Sequence, residues 1–306
     1  MTRLIVSVPS NGLAADLRPL PDGVELVTWD LLSPPPTPRI DLVVLPYMAP
    51  GIDLSPVGAV QPRLVQSQSI GYEGVTATLP TGIVFANAAT VHEASTAELA
   101  VGLALAAQRG IPGFVQAQER RQWEPDYRQS LADRRVLLLG YGGVGKAVAA
   151  RLAPFEVTVT PVASRARDED GIRVHGVDEL PDLLPHADIV ILTLPGGDAT
   201  RHVIDDAALA LLPDGALVVN VGRGPLIDTD ALLAHAERGR IRAALDVTDP
   251  EPLPADHPLW ALDGVLIVPH VGGASTAMEP RISALVRRQI DRMLADTDPE
   301  NVVVRT

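Results

Sequence analysis

The chain has no cysteine, which excludes disulfides and thiolate-bound metal ions and leaves its redox compartment unmarked. Aromatic residues make up only 3% of it, so a core must rest on Val, Leu, Ile and Ala. Positive charge is scarce: 25 Lys and Arg stand against 38 Asp and Glu, a formal net charge of −13. Nucleic acids and anionic membrane surfaces both need a basic face, so neither is expected as a partner. A small anionic ligand feels only the field of its own pocket and is not excluded. No apolar run approaches the ~18 residues of a membrane span. The start, Met1-Thr2-Arg3-Leu4-Ile5-Val6-Ser7-Val8-Pro9, is too short in its apolar part for a secretory signal. A soluble cytoplasmic protein without a metal site is the expectation.

With 306 residues, 46% hydrophobic and 21% charged, the chain exceeds the usual size of one core and predicts two domains. The expected division is 1–92 with 280–306, and 93–279. Short strands separated by turns fill the first part, at Leu4–Val8, Val24–Thr28, Leu42–Leu45 and Arg63–Ser67. Ser33-Pro34-Pro35-Pro36-Thr37-Pro38 is an exposed connection, because proline fits neither a helix interior nor a central strand. Ser95-Thr96-Ala97-Glu98 has capping-box spacing and predicts a helix start. The stretch Leu99–Ala107 that follows is apolar on nearly all faces, which predicts burial between domains or at a subunit interface.

The chain is organised around Gly140-Tyr141-Gly142-Gly143-Val144-Gly145. Arg135–Leu139 before it reads as a buried strand, and Lys146–Leu152 after it as a helix. That context lifts a glycine cluster from an ordinary turn to a dinucleotide-binding loop. Gly140 permits the tight turn, Gly142 lets the backbone approach a pyrophosphate, and Gly145 lets helix and strand pack closely. The helix N-terminus then offers unpaired N–H groups to the phosphates. Beyond it, strands at Val157–Val162, Asp188–Leu194, Ala216–Val221, Arg242–Val247 and Val265–Val268 alternate with helices such as Asp205–Leu212 and Thr229–Arg238. This alternation predicts a parallel doubly wound sheet. Glu279–Leu294 reads as an amphipathic helix with Arg281, Arg287, Arg288 and Arg292 on its solvated face, returning the chain to the first domain.

In such a sheet, ligands bind beyond the carboxyl ends of the strands. Arg223 follows one strand end, Glu251 the next and His270 the third. Singly, each has a bland reading: a surface charge, a loop carboxylate, a capping or core histidine. Together, on the ligand-facing edge of a dinucleotide domain, they read as a catalytic set.

These residues carry a resemblance. Gly140–Gly145, Asn220-Val221-Gly222-Arg223-Gly224, Asp246–Pro254 and Pro269-His270-Val271-Gly272-Gly273 resemble, in order and spacing, the D-isomer-specific 2-hydroxyacid dehydrogenases. Ser95–Ala100 resembles that family's interdomain helix, and Ser69-Ile70-Gly71-Tyr72 is a weaker match. Asp256-His257-Pro258-Leu259 looks most like the glyoxylate/hydroxypyruvate reductase branch. The resemblance implies a Rossmann cofactor domain, a smaller flavodoxin-like substrate domain, closure of the two over substrate, and a homodimer. It implies that Arg223 grips the carboxylate of a small 2-oxo acid, that His270 donates a proton as hydride arrives, and that Glu251 orients His270. Backbone N–H groups of Ile70 and Gly71 would also hold the carboxylate. Asp246 would meet the nicotinamide carboxamide, while Thr96, Gly143, Val144, Thr193, Val221, Gly222 and Gly272 line the cofactor. The formate dehydrogenase branch has Gln as the partner of the histidine, so Glu251 argues against that activity.

One departure bears on the cofactor. NAD enzymes place an acid roughly 20 residues beyond the glycines to bind the adenosine ribose. Here position 163 is Ala, followed by Ser164-Arg165-Ala166-Arg167. No carboxylate repels a 2′-phosphate, and two guanidinium groups offer to bind one. NADP(H) is therefore expected over NAD(H), with Ser164, Arg165 and Arg167 as its ligands. Tyr47, Met48 and Tyr72 are candidates for lining the substrate pocket. The alternative function is a dinucleotide-sensing, co-repressor-like regulatory protein on the same scaffold; the lack of a long polar extension favours the enzyme. A third is a dehydrogenase of an unusual substrate such as phosphite.

Overall fold

Runs of β-branched residues and leucine, closed by turn residues, become the strands of two mostly parallel sheets. The computed structural model describes residues 3–48 and 52–306, so the first two residues of the N-terminal stretch lie outside the described part. In chain order the strands are β1 (Leu4–Val8), β2 (Val24–Thr28), β3 (Leu42–Val44), β4 (Leu64–Gln66), β5 (Val84–Ala86), β6 (Arg135–Leu139), β7 (Thr158–Ala163), β8 (Arg167–Glu169), β9 (Ile172–Gly176), β10 (Ile189–Leu192), β11 (Ala216–Asn220), β12 (Ile241–Leu245), β13 (Val265–Ile267) and β14 (Val302–Arg305). Contacts divide the chain into a first unit, 1–92 with 276–306, and a second, 93–275.

The first unit carries the order β14-β5-β4-β3-β1-β2, parallel except for β14. Its β2-β1-β3-β4-β5 core is the flavodoxin-like order. Alternate residues go to opposite faces. Leu4, Val6, Leu42, Val44 and Leu64 pack under the helix Met278–Leu294, while Val43, Val65 and Phe85 pack with Trp29, Ile40 and Leu54. That helix has the expected two faces: Ile282, Leu285, Val286 and Ile290 are buried and Arg281 and Arg288 are exposed.

The second unit carries β13-β12-β11-β10-β6-β7-β9-β8, parallel except for β8 against β9. The chain reverses direction across the sheet between β6 and β10, the switch point of a Rossmann fold. All four residues of β10 are fully buried, as a strand with helices on both sides requires. Leu137, Leu139, Val190 and Leu192 face one layer; Val136, Leu138, Ile189 and Ile191 face the other.

The helix expected from Ser95 differs from its reading. It spans Glu93–Arg109, so Ser95 is not a cap but a buried residue of the first turn, its Oγ 2.6 Å from that of Ser275. Burial of Ser95 and Thr96 outweighs the local capping preference, and the acidic Glu93 suits the positive end of the helix. Nor is the helix covered all round in this chain. It packs on the helix Gly143–Leu152 and on β11 and β12, leaving Glu98 and Gly102 exposed.

Candidate active site

The carboxyl ends of the second sheet form a ledge whose order follows the strands. Along it lie His270 beyond β13, Asp246 and Glu251 beyond β12, Arg223 beyond β11, Thr193 beyond β10, Gly140 beyond β6, and Ser164 and Arg165 beyond β7. The three residues read as catalytic are thus adjacent at one end, with the glycine loop in the middle and the two candidate phosphate ligands past it.

Glu251 Oε1 lies 2.5 Å from His270 Nδ1. The hydrogen bond to Glu251 raises the imidazole pKa above its ordinary value, against the opposing effect of burial. The same bond lowers the Glu251 carboxyl below the usual range, and the nearby Arg223 charge lowers it further. An ionised carboxylate accepts, so Nδ1 carries the hydrogen and Nε2 is left for a ligand. His270 sits at φ 53°, in the left-handed region that a residue with a side chain rarely occupies. Its loop is held there by Asp246, only 3% exposed, whose carboxylate accepts from Val271 N–H at 2.6 Å and Gly272 N–H at 2.9 Å. Thr96 packs beside Gly272 at the same place.

Arg223 is set by a residue to which the sequence reading gave no role. Asn220, fully buried at the end of β11, donates to the Arg223 carbonyl at 2.8 Å and accepts from Gly222 N–H at 3.0 Å. An asparagine at a strand end, two residues ahead of a glycine, is a turn former, and that was the available signal. Val221, buried, completes this turn.

The glycine loop fits a dinucleotide. Gly140 has φ 106°, and a Cβ on Gly145 would lie 1.9 Å from the Gly140 carbonyl oxygen. Thr193 Oγ1 donates to that same carbonyl at 2.9 Å. By contrast a Cβ on Gly142 would meet no protein atom, which is the open space a phosphate needs at the N-terminus of the Gly143–Leu152 helix. Gly143 and Val144 form its first turn.

Ser164 and Arg165 are exposed in the turn after β7, and among the described residues Arg165 makes no hydrogen bond or ion pair. Arg167 differs from expectation: it lies in the edge strand β8, paired with Glu169 at 2.8 Å and donating to the Tyr141 carbonyl at 3.3 Å. Glu169 also pairs with Lys146. The second guanidinium is thus already engaged in tying the β8–β9 hairpin to the glycine loop.

Ile70 and Gly71 belong to the first unit, beyond β4. Among the described residues no acceptor meets either N–H. Tyr47 and Met48 follow β3, and Tyr72 follows Gly71; Met48 and Tyr72 are exposed.

The family description "D-isomer specific 2-hydroxyacid dehydrogenase, NAD binding domain" matches residues 101–272. The chain is 34% identical over 248 residues to the D-3-phosphoglycerate dehydrogenase of Methanocaldococcus jannaschii, covering 79% of this chain but only 47% of that protein. It is 31% identical over 254 residues to the glyoxylate/hydroxypyruvate reductase B of Yersinia pestis, covering 79% and 77%. Its fold matches the NADPH-dependent glyoxylate/hydroxypyruvate reductase of Sinorhizobium meliloti, solved with NADP and malonate, with a TM-score of 0.80 at 26% identity over 99% of this chain and 97% of that one. The chain therefore belongs to the D-isomer-specific 2-hydroxyacid dehydrogenase family and is an NAD(P)-dependent dehydrogenase.

Proposed function

We propose that the protein is an NADPH-preferring reductase of small 2-oxo acids such as glyoxylate or hydroxypyruvate. The 2.5 Å Glu251–His270 pair beside the Arg223 turn carries this reading. A bound nicotinamide supplies the hydride. Arg223 grips the carboxylate and polarises the C2 carbonyl, since a guanidinium fork suits a planar anion. The free N–H groups of Ile70 and Gly71 take the remaining carboxylate lone pairs. His270 gives the proton on Nε2 to the carbonyl oxygen, and Glu251 holds the ring in orientation and stabilises its charged form. The absence of a carboxylate directly after β7, with Ser164 and Arg165 in its place, supports NADPH. The Yersinia and Sinorhizobium relatives, glyoxylate/hydroxypyruvate reductases by name, support the substrate class. We extend the reading to a homodimer.

Loss of absorbance at 340 nm tests it, with NADPH and NADH each run against glyoxylate, hydroxypyruvate, pyruvate, 3-phosphohydroxypyruvate and an aromatic 2-oxo acid. Faster turnover of glyoxylate or hydroxypyruvate with NADPH is expected, and Arg165→Ala should raise the KM for NADPH while leaving that for NADH in place. Equal rates with NADH, or an unchanged NADPH KM in Arg165→Ala, would remove the cofactor assignment. Tight dinucleotide binding without turnover of any acid would favour the regulatory alternative.

A further inference from the structure

Three successive carbonyls beyond β4 are each held by a donor from elsewhere in the first unit. His92 Nε2 lies 2.6 Å from the Gln68 carbonyl, Ala88 N–H donates to Ser69 at 2.9 Å, and Asn87 Nδ2 donates to Ile70 at 2.8 Å. In a trans peptide the C=O and the next N–H point in opposite directions. Pinning the Ser69 and Ile70 carbonyls inward therefore aims the N–H groups of Ile70 and Gly71 outward, and neither meets an acceptor among the described residues.

The Ser69 carbonyl is held by backbone, the Ile70 and Gln68 carbonyls by the side chains of Asn87 and His92, and both side chains are buried and themselves held. Asn87 is 6% exposed and accepts from Ala89 N–H at 3.2 Å. His92 is 4% exposed, and its ring stacks on Tyr47 with centroids 5.3 Å apart and planes at 14°. Because a carbonyl can only accept, Nε2 of His92 carries the hydrogen. Gln68 in turn donates from Nε2 to the Leu45 carbonyl at 2.7 Å, which links the exits of β3 and β4.

We propose that Asn87 and His92 are positioning residues for substrate: neither touches it, but Asn87 fixes the peptide that carries the Gly71 N–H, and His92 fixes the Gln68–Ser69 peptide, directly before the one that carries the Ile70 N–H and is held by Ala88 N–H. The inference rests on the reading of Ile70 and Gly71 as substrate ligands. It also assigns the aromatic residue beyond β3 its place, since Tyr47 is seated by the same imidazole that holds Gln68.

The test is steady-state kinetics of the full-length protein with NADPH and its best 2-oxo acid, beside NADPH binding by fluorescence and thermal melting. Asn87→Leu keeps the volume and loses the donor; His92→Phe keeps the stack on Tyr47 and loses the donor; His92→Gln restores a donor without the ring. Losing one hydrogen bond should raise the KM for the acid about tenfold in Asn87→Leu and severalfold in His92→Phe, with NADPH affinity and kcat nearly unchanged. His92→Gln should recover most of the loss. If Asn87→Leu does not fold, the His92 pair decides alone. A lower Tm with an unchanged KM for the acid would show a merely structural role and overturn the proposal, as would parallel loss of NADPH affinity. An active wild type with unaffected variants removes this inference only; a wild type that reduces no 2-oxo acid removes the functional reading and the inference with it.

Discussion

Glu251 and His270 share one hydrogen bond, and in the proposed reaction the charge state of the pair sets whether it can give or take a proton. Glu251 stays ionised below its ordinary 4.5, because the imidazole hydrogen bond favours the carboxylate. His270 stays protonated above its ordinary 6.5, because the carboxylate favours the imidazolium. Between those limits the pair is a carboxylate and an acid ready to donate. Reductive kcat/KM should therefore be flat through neutral pH and fall as pH rises through the elevated His270 value; oxidation of the hydroxy acid should rise over the same range. Glu251→Gln still accepts from Nδ1–H but lacks the charge, so the falling limb of reduction should move to lower pH. Both side chains are more than a third exposed, so solvent screens the pair and its loss should cost only about 0–1 kcal/mol of stability. A pH–rate profile of each protein checks this, and a limb that stays in place in Glu251→Gln would show that another group sets it.

The glycine loop and the helix it opens make two opposite demands on their glycines. At Gly145 the problem is the protein itself: an added methyl would enter the Gly140 carbonyl, which is backbone and cannot swing away. Gly145→Ala should lower stability by about 1–3 kcal/mol, the usual cost of forcing atoms into a packed site, and weaken NADPH binding with it. At Gly142, with φ −92° and open space, alanine is compatible with the fold but intrudes where a phosphate would lie. Gly142→Ala should keep its Tm and raise the KM for NADPH; melting curves beside titrations separate the two cases. This loop was legible in the sequence because its demands are local, as were the buried strands β6, β10 and β11, whose apolar runs end in turn residues. The placement of Arg223, Glu251 and His270 just beyond three neighbouring strands was legible as well. Less local features were not. Strand β5 has only three residues, and β14 is a strand only because the returning chain finds β5 open beside it. The hairpin β8–β9 begins with Arg167-Asp168-Glu169, a polar run that is a strand only at a sheet edge. The work of Asn220, Asp246, Asn87 and His92 consists of holding particular backbone groups, and which groups lie within reach is decided by the fold.

At the scale of the whole molecule, the aromatic residues that the chain uses so sparingly are in part spent on its surface. Trp123 is 96% exposed and Tyr127 fully exposed, in a segment, 122–130, without helix or strand. Its base is fastened: Arg242 donates to Gln129 Oε1 at 2.8 Å and pairs with Gln108 on the helix Glu93–Arg109. Ile111 and Val115 on the adjoining helix, Ile111–Glu119, are about half exposed as well. Exposed apolar residues of this kind on an acidic chain suit a protein contact, and under the proposed homodimer the partner would be a second copy of the same chain. A net charge of −13 on each copy opposes that association, so the contact must be apolar and should strengthen as salt screens the repulsion. Light scattering on a sizing column should give twice the 32.4 kDa chain mass, and the double variant Trp123→Ala/Tyr127→Ala should elute as the single chain. Binding between copies stabilises only the folded state, so the wild-type Tm should climb with protein concentration while that of the double variant stays fixed. A wild type that is monomeric at tens of micromolar in high salt would discard the dimer and leave the two aromatics without a partner of their own kind.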